Sequence, residues 1–288
     1  MIPVFGTTFQ NPILLAAGTA GFGREVGGVI ELERLGGLIT KAVSPEPRAG
    51  NPSPRVAEFF GGMLNSVGLA NPGVERVASR ELPWLERHLE RARVIVNVVG
   101  DTQDDYVEVV RTLGDHSVVT AFELNVSCPN TARGGEEFGA DEGVLTDLVR
   151  ECGEATSKPL IVKLAPTLPD IAASAEIAAG AGAAGFTVVN TLPGALYGAG
   201  NGTGKAVGRL GASSGGVSGP ALLPIGVLAT WRVHQRTGLP VIGVGGIRVF
   251  ADVKQYMQAG ATLVGVGTAA LADPRVPERL AAAWMDSG

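Results

Sequence analysis

The chain has 288 residues, 45% of them hydrophobic and only 5% aromatic, with 42 glycines and a net charge of −5. That balance excludes a broad electrostatic attraction to nucleic acid. Two cysteines, Cys128 and Cys152, are too few for a disulfide framework and suit a reducing cytoplasm.

Near the start, Met1 to Thr19 has no basic leader, and its apolar patch is broken by Thr7, Thr8, Gln10 and Asn11, so no targeting segment is expected. Eight short apolar runs bounded by Gly, Pro or Asn then read as strands covered on both faces. They are Ile13–Ala17, Gly37–Val43, Val94–Val98, Val119–Asn125, Leu160–Ala165, Phe186–Asn190, Val241–Gly245 and Leu263–Gly267. Helical patterns fall between them near 25–35, 74–90, 103–113, 141–157, 169–181, 220–237, 249–259 and 275–284. Asp101 or Thr102 and Asp170 suit helix starts, and Pro220 and Pro274 suit first turns. Strict βα alternation in a chain of this size predicts an α/β fold, a (β/α)8 barrel forming a single domain over 1–288; a doubly wound open sheet is the alternative. The most membrane-like window, Ile171 to Val189, carries Glu176 and changes from helical to strand character, so it reads as a buried helix and strand.

Long connections at 44–73, 129–141 and 191–219 belong on the catalytic face of such a barrel. The first carries five prolines and the last is Gly-rich. Within the last, Gly198–Lys205 fails as a P-loop: Ala199 stands at a required Gly, and Ala206 replaces the Ser or Thr. It reads as a flexible insertion.

Asn125-Val-Ser-Cys-Pro-Asn130 places a sulfur, a hydroxyl and two uncharged amides where the fourth strand ends, which is where ligands bind in parallel α/β proteins. Planar amides suit a neutral heterocycle better than a phosphate. A lone Cys is more often a packing residue, but the flanking amides favour a site. Polar residues also end other strands: Lys41, Asn97, Lys163 and Asn190. Two lysines at equivalent strand ends, with no acid in the same run, suit a flavin or an anionic substrate. Gly245-Gly246-Ile247 and Gly265-Val-Gly267-Thr268 follow the last two strands as a barrel phosphate cradle does. No His pairs with a Cys at metal-ligand spacing, so no metal site is expected.

With these residues in place, the chain resembles the class 1 dihydroorotate dehydrogenases, FMN-dependent barrel enzymes of pyrimidine synthesis. The resemblance runs through Gly21-Phe-Gly-Arg-Glu25, Thr40-Lys-Ala-Val43, Glu46-Pro-Arg48 with Asn51-Pro52, Asn65-Ser-Val-Gly-Leu69 with Asn71-Pro-Gly73, and Asn125 to Asn130. It continues in Lys163-Leu-Ala-Pro166, Asn190-Thr191, Ser218-Gly-Pro220, Gly245-Gly-Ile247 and Gly267-Thr268. It implies that Cys128 is the catalytic base at C5 of dihydroorotate while hydride leaves C6 for the flavin. It implies a pyrimidine site of Lys41, Asn65, Ser66, Val67, Gly68, Leu69, Asn125, Asn130, Asn190 and Thr191. It implies one FMN held by Ala17, Lys41, Ala42, Asn97, Asn125, Lys163, Val189, Gly219, Gly245, Gly246, Gly267 and Thr268. Ala17 departs from relatives that carry Ser there, and the 194–217 insertion is unlike theirs.

The Glu46-Pro-Arg48 and Asn51-Pro-Ser-Pro54 run resembles the subclass, 1B, that passes electrons to NAD through a subunit carrying FAD and a 2Fe-2S cluster. This implies a homodimer or a heterotetramer with that iron–sulfur flavoprotein, and no membrane attachment. A fumarate-reducing class 1A enzyme, a flavoenzyme acting on another dihydropyrimidine, and a flavin-free barrel lyase, isomerase or phosphate binder stay open as alternatives.

Overall fold

The computed structural model describes residues 1–127, 129–130, 136–198 and 207–287. Eight parallel strands close into a barrel: β1 (Ile13–Leu15), β2 (Gly37–Ile39), β3 (Arg93–Val98), β4 (Val119–Asn125), β5 (Leu160–Leu164), β6 (Gly185–Val188), β7 (Val241–Val244) and β8 (Leu263–Val266). Each pairs with its sequence neighbours, and β8 pairs with β1 through Gly265 and Leu14, so no edge is left open. Every expected strand is present. Several stop one to four residues early, so Lys41 and Asn190 lie just past their strands, while Asn97, Asn125 and Lys163 stay within theirs.

Helices pack around the barrel. Gln103–Leu113 is capped by Thr102: its hydroxyl accepts from Asp105 N, while Asp105 Oδ2 accepts from Thr102 N. Asp170 caps Ile171–Gly180 through two backbone N–H groups, as expected. The 74–90 helix is present in three pieces, with a π-helical turn at Val77–Glu81 just before Pro83, whose missing N–H cannot continue a regular ladder.

Two expectations are corrected, and one helix was not expected. The 25–35 helix is replaced by turns and a short 3-10 turn at Leu32–Arg34. There the chain needs Gly23 at φ 86, and Glu25 Oε2 accepts from Phe22 N to close a turn in place of a helical start. The last helix begins at Val276, so Pro277 and not Pro274 occupies its first turn. A short helix at Thr268–Ala272 has no counterpart in the sequence reading.

The barrel is floored with apolar side chains. Leu14, Ile39, Ile95, Ala121, Ile161, Ile242 and Leu263 form one cluster with Val4, Phe5 and Phe9. The last three belong to the N-terminal hairpin, Ile2–Val4 against Thr7–Phe9. Burying aliphatic or aromatic side chains of this size contributes about 1.5–3 kcal/mol each. The hairpin therefore plugs the N-terminal mouth, and ligands are left the opposite end.

At that opposite end the two long connections are not separate loops. Val56–Phe59, Gly62–Asn65, Gly215–Ser218 and Leu192–Gly194 build one four-stranded antiparallel sheet. The 191–219 connection thus contributes strands at Leu192–Gly194, Tyr197–Gly198, Val207–Gly208 and Gly215–Ser218, while 199–206, and with it nearly all of the stretch read as flexible, lies outside the described residues.

Candidate active site

Side chains two residues apart on a strand share a face, and this rule stacks the barrel interior in layers. Above Ile95, Ala121 and Ile161 of the floor come Asn97, Glu123 and Lys163. Glu123 is 0% exposed, Asn97 1% and Lys163 7%. Glu123 Oε1 accepts from Asn97 Nδ2 at 2.6 Å and lies 3.5 Å from Lys163 Nζ; Oε2 accepts from Thr187 Oγ1 at 2.6 Å. A buried lysine without its counter-ion is costly. The run that holds Lys163 has no acid of its own; its acid is on β4, paired across strands where a search along one run cannot find it.

One layer higher, Asn125 Oδ1 accepts from Asn190 Nδ2 at 3.3 Å, and Asn190 Oδ1 accepts from Thr191 N at 2.8 Å. Tyr106, from the 103–113 helix, donates to the Asn125 carbonyl at 2.8 Å and fixes the strand end. Thr191 packs against Gly216, where a Cβ would meet its hydroxyl, and Asn65 Nδ2 donates to Gly216 O at 3.1 Å. Asn65, Thr191, Asn190 and Asn125 are therefore linked into one wall.

The segment after Asn65 is shaped by asparagines. Asn51 Nδ2 donates to Ser66 Oγ at 2.8 Å, and Asn51 N donates to Val67 O. Asn71 ties Ser44, Leu69 and Gly73 together through four hydrogen bonds. Gly68 takes φ 72 over Asn51, and Leu69 packs on Ala42 and Val99. Lys41 is half-buried, and its N–H donates to Gly21 O, which explains why the Gly21–Glu25 turn matters to this face. Ala17 is half-buried at the top of β1 beside the floor cluster, and Val189 is buried with its N–H on Val244 O.

A second focus gathers the glycines. Gly219, Gly245 and Gly246 take φ 103, 126 and 73, conformations that L side chains rarely adopt. A Cβ at Gly246 would lie 2.7 Å from Leu223 N, and one at Gly219 would lie 2.9 Å from Gly62 Cα. Thr268 Oγ1 donates to Ser218 Oγ at 2.8 Å, which brings the Gly267-Thr268 turn beside Gly219. Closely approached, side-chain-free backbone of this kind fits the phosphate end of a nucleotide-like cofactor. With Lys163 and Asn97 at the other focus, these residues fit FMN.

The structure thus gathers the expected residues of β2 to β8 at one mouth. Sequence reasoning missed Glu123, Thr187 and Ser218. The signal for Glu123 was present: an acid two residues before Asn125 shares its face. Cys128 lies outside the described residues. Pro129–Asn130 pairs antiparallel with Glu136–Glu137, and the Asn130 side chain is likewise outside the described residues. Cys152, by contrast, is buried in the Glu142–Ala155 helix, where desolvation and then the Glu151 charge push its thiol up to about 12. It stays a neutral packing residue. Among the described residues no cluster of metal-ligating side chains occurs, and no helix is long and apolar enough to cross a membrane.

A closed parallel barrel with a polar, cation-bearing mouth and a glycine cradle defines a (β/α)8-barrel enzyme. The comparison with known proteins narrows this class. The sequence profile of dihydroorotate dehydrogenase matches residues 2–284, and the chain belongs to that family. It is 42% identical over 279 residues to the catalytic subunit of dihydroorotate dehydrogenase B (NAD(+)) from Listeria welshimeri, covering 97% of this chain and 90% of that protein. The protein of the same name from Geobacillus kaustophilus is 44% identical over 271 residues, covering 94% and 85% of the two chains. The one from a Geobacter species is 40% identical over 280 residues, covering 97% and 90%.

Proposed function

We propose that this chain is the catalytic subunit of an NAD-linked dihydroorotate dehydrogenase, a single FMN-binding barrel domain that oxidises dihydroorotate to orotate in pyrimidine synthesis. The observation that carries the reading is the layered mouth: the Asn97–Glu123–Lys163 layer, the amide wall of Asn125, Asn190, Thr191 and Asn65 above it, and the Gly219, Gly245, Gly246 and Gly267-Thr268 cradle to one side.

When bound, FMN supplies the hydride acceptor for C6 of dihydroorotate. The chain's own residues do the rest. Asn65, Asn125, Asn130, Asn190 and Thr191 hold the pyrimidine amides, with Lys41 and the Ser66–Leu69 turn beside them. Cys128, as thiolate, takes the C5 proton; that electron pair becomes the C5=C6 double bond as hydride departs from C6. A carbon acid beside a carbonyl needs such a base, worth about 10²–10⁴ in rate. Lys163 places positive charge where the reduced ring carries negative charge, while Asn97, Ala17, Ala42 and Val189 line the cofactor.

The test is spectroscopic: purified protein is yellow, and anaerobic dihydroorotate bleaches it. Colourless protein that binds no added FMN sinks the reading. Lys163→Ala is expected to lower FMN affinity and to make the flavin harder to reduce; an unchanged affinity together with an unchanged potential refutes its placement.

Electrons leave through a partner. Iron–sulfur clusters usually need four cysteines; this chain has two, and Cys152 is buried. The relatives named above are themselves called catalytic subunits of NAD-linked enzymes. The isolated chain is therefore expected to reduce dyes but not NAD, and to gain NAD reduction with an FAD- and 2Fe-2S-bearing subunit in a cytoplasmic complex. Rapid fumarate reduction by the chain alone moves it to the other subclass.

A further inference from the structure

Glu123 has no exposed surface, so it reaches a ligand only through its neighbours. It is met from β3 by Asn97, from β5 by Lys163 and from β6 by Thr187. The lysine is a cation, and the amide N–H and the hydroxyl donate. Every neighbour within reach donates to this carboxyl group, which serves only as an acceptor. Beneath it Ile95, Ala121 and Ile161 belong to the apolar floor and offer no competing partner. The arrangement has two consequences. Asn97 spends an Nδ2 hydrogen on Glu123, which fixes which way its amide faces and leaves Oδ1 as the free acceptor edge. Lys163 Nζ is drawn to one place on the barrel wall, with its other hydrogens left for what lies above.

We propose that Glu123 is a positioning residue for the flavin site: from below, its carboxylate sets the Lys163 ammonium and the Asn97 amide in a single arrangement. The proposal rests on the reading that these two residues face FMN. Three donors converging on one buried carboxylate form a unit in which each member is held by the others, and loss of the acid frees both upper groups at once.

The experiment measures the FMN dissociation constant and the flavin midpoint potential of the holoprotein for Glu123→Gln, Glu123→Asp, Lys163→Ala and the double variant Glu123→Gln/Lys163→Ala. Glu123→Gln is expected to weaken FMN binding about tenfold or more. It is also expected to move the potential in the negative direction, as Lys163→Ala does. Simple removal of a negative charge would move it the other way, so the sign separates positioning from charge. In the Lys163→Ala background the same substitution should weaken binding less than about threefold, because its route through the lysine is already gone. Glu123→Asp, which keeps the charge but retracts it, should fall between wild type and Glu123→Gln in both readouts. Folded Glu123→Gln with wild-type affinity and potential, a positive shift, or full additivity with Lys163→Ala overturns the proposal. If Glu123→Gln does not fold, folded Glu123→Asp with wild-type affinity and potential overturns it as well. A Lys163→Ala variant that changes neither quantity instead refutes the underlying flavin reading.

Discussion

Cys128→Ala is expected to fold, retain FMN and lose dihydroorotate oxidation by about 10²–10⁴, the usual contribution of a positioned base. Neither the second cysteine nor the buried acid of the site can take over the task. Cys152 is buried with its thiol pushed up to about 12, so it cannot supply a thiolate at neutral pH. Glu123 is enclosed by Asn97, Lys163 and Thr187. A thiol of ordinary acidity titrates near about pH 8.5. Its reactive form is the deprotonated one, so wild-type turnover should climb from neutral toward alkaline pH and level off above that point. Cys128→Ser should keep weak activity with a more alkaline profile. The measurement is steady-state dye reduction against pH, alongside flavin absorbance to show that the cofactor is still present. Near wild-type turnover in the Ala variant removes Cys128 from its role.

The second large effect is expected at Gly246. The residue sits at φ 73, and an added Cβ would stand 2.7 Å from Leu223 N and 2.8 Å from Leu223 Cβ. The left-handed backbone alone costs an ordinary residue about 1–2 kcal/mol, and overpacking against backbone typically adds about 1–3 kcal/mol. Gly246→Val should therefore lose roughly 2–5 kcal/mol of stability in urea, with a more than tenfold loss of FMN affinity because the turn must move away from the cradle. Gly238→Ala serves as the comparison: it also has positive φ (65), but nothing lies within 4 Å of its added Cβ. It should lose stability through the backbone alone and keep its flavin. Equal FMN affinity in the two variants would falsify the assignment of Gly246 to the cofactor cradle.

The barrel was legible because parallel strands buried on both faces leave continuous apolar runs, and these stand out even where helices do not. Leu160–Leu164 and Val119–Asn125 needed little more than that. The 25–35 segment was misread because its apolar spacing suits a helix, whereas Gly23 and the Glu25 to Phe22 bond commit the chain to turns. The four-stranded sheet could not be read at all. Its central pairing joins Gly216 to Asn65, and no local pattern encodes a register between segments so far apart. The amides and lysines of the site were visible as interruptions in apolar runs. Glu123 interrupts its run in the same way, yet its meaning depends on three other strands, which only closure of the barrel brings to it.

That sheet has a thermodynamic consequence. Asn65, proposed to hold the pyrimidine, ends one of its strands, and Gly219, proposed for the phosphate, directly follows the strand paired with it, Gly215–Ser218. Met63 and Ser218 are register partners between the two positions, so a tilt of the ladder displaces both ends together. Whatever affinity orotate gains when the flavin phosphate is seated, the flavin must gain when orotate is seated, because coupling between two sites is reciprocal. On these two assignments, orotate release and flavin retention are coupled through the pose of a wall that neither ligand owns.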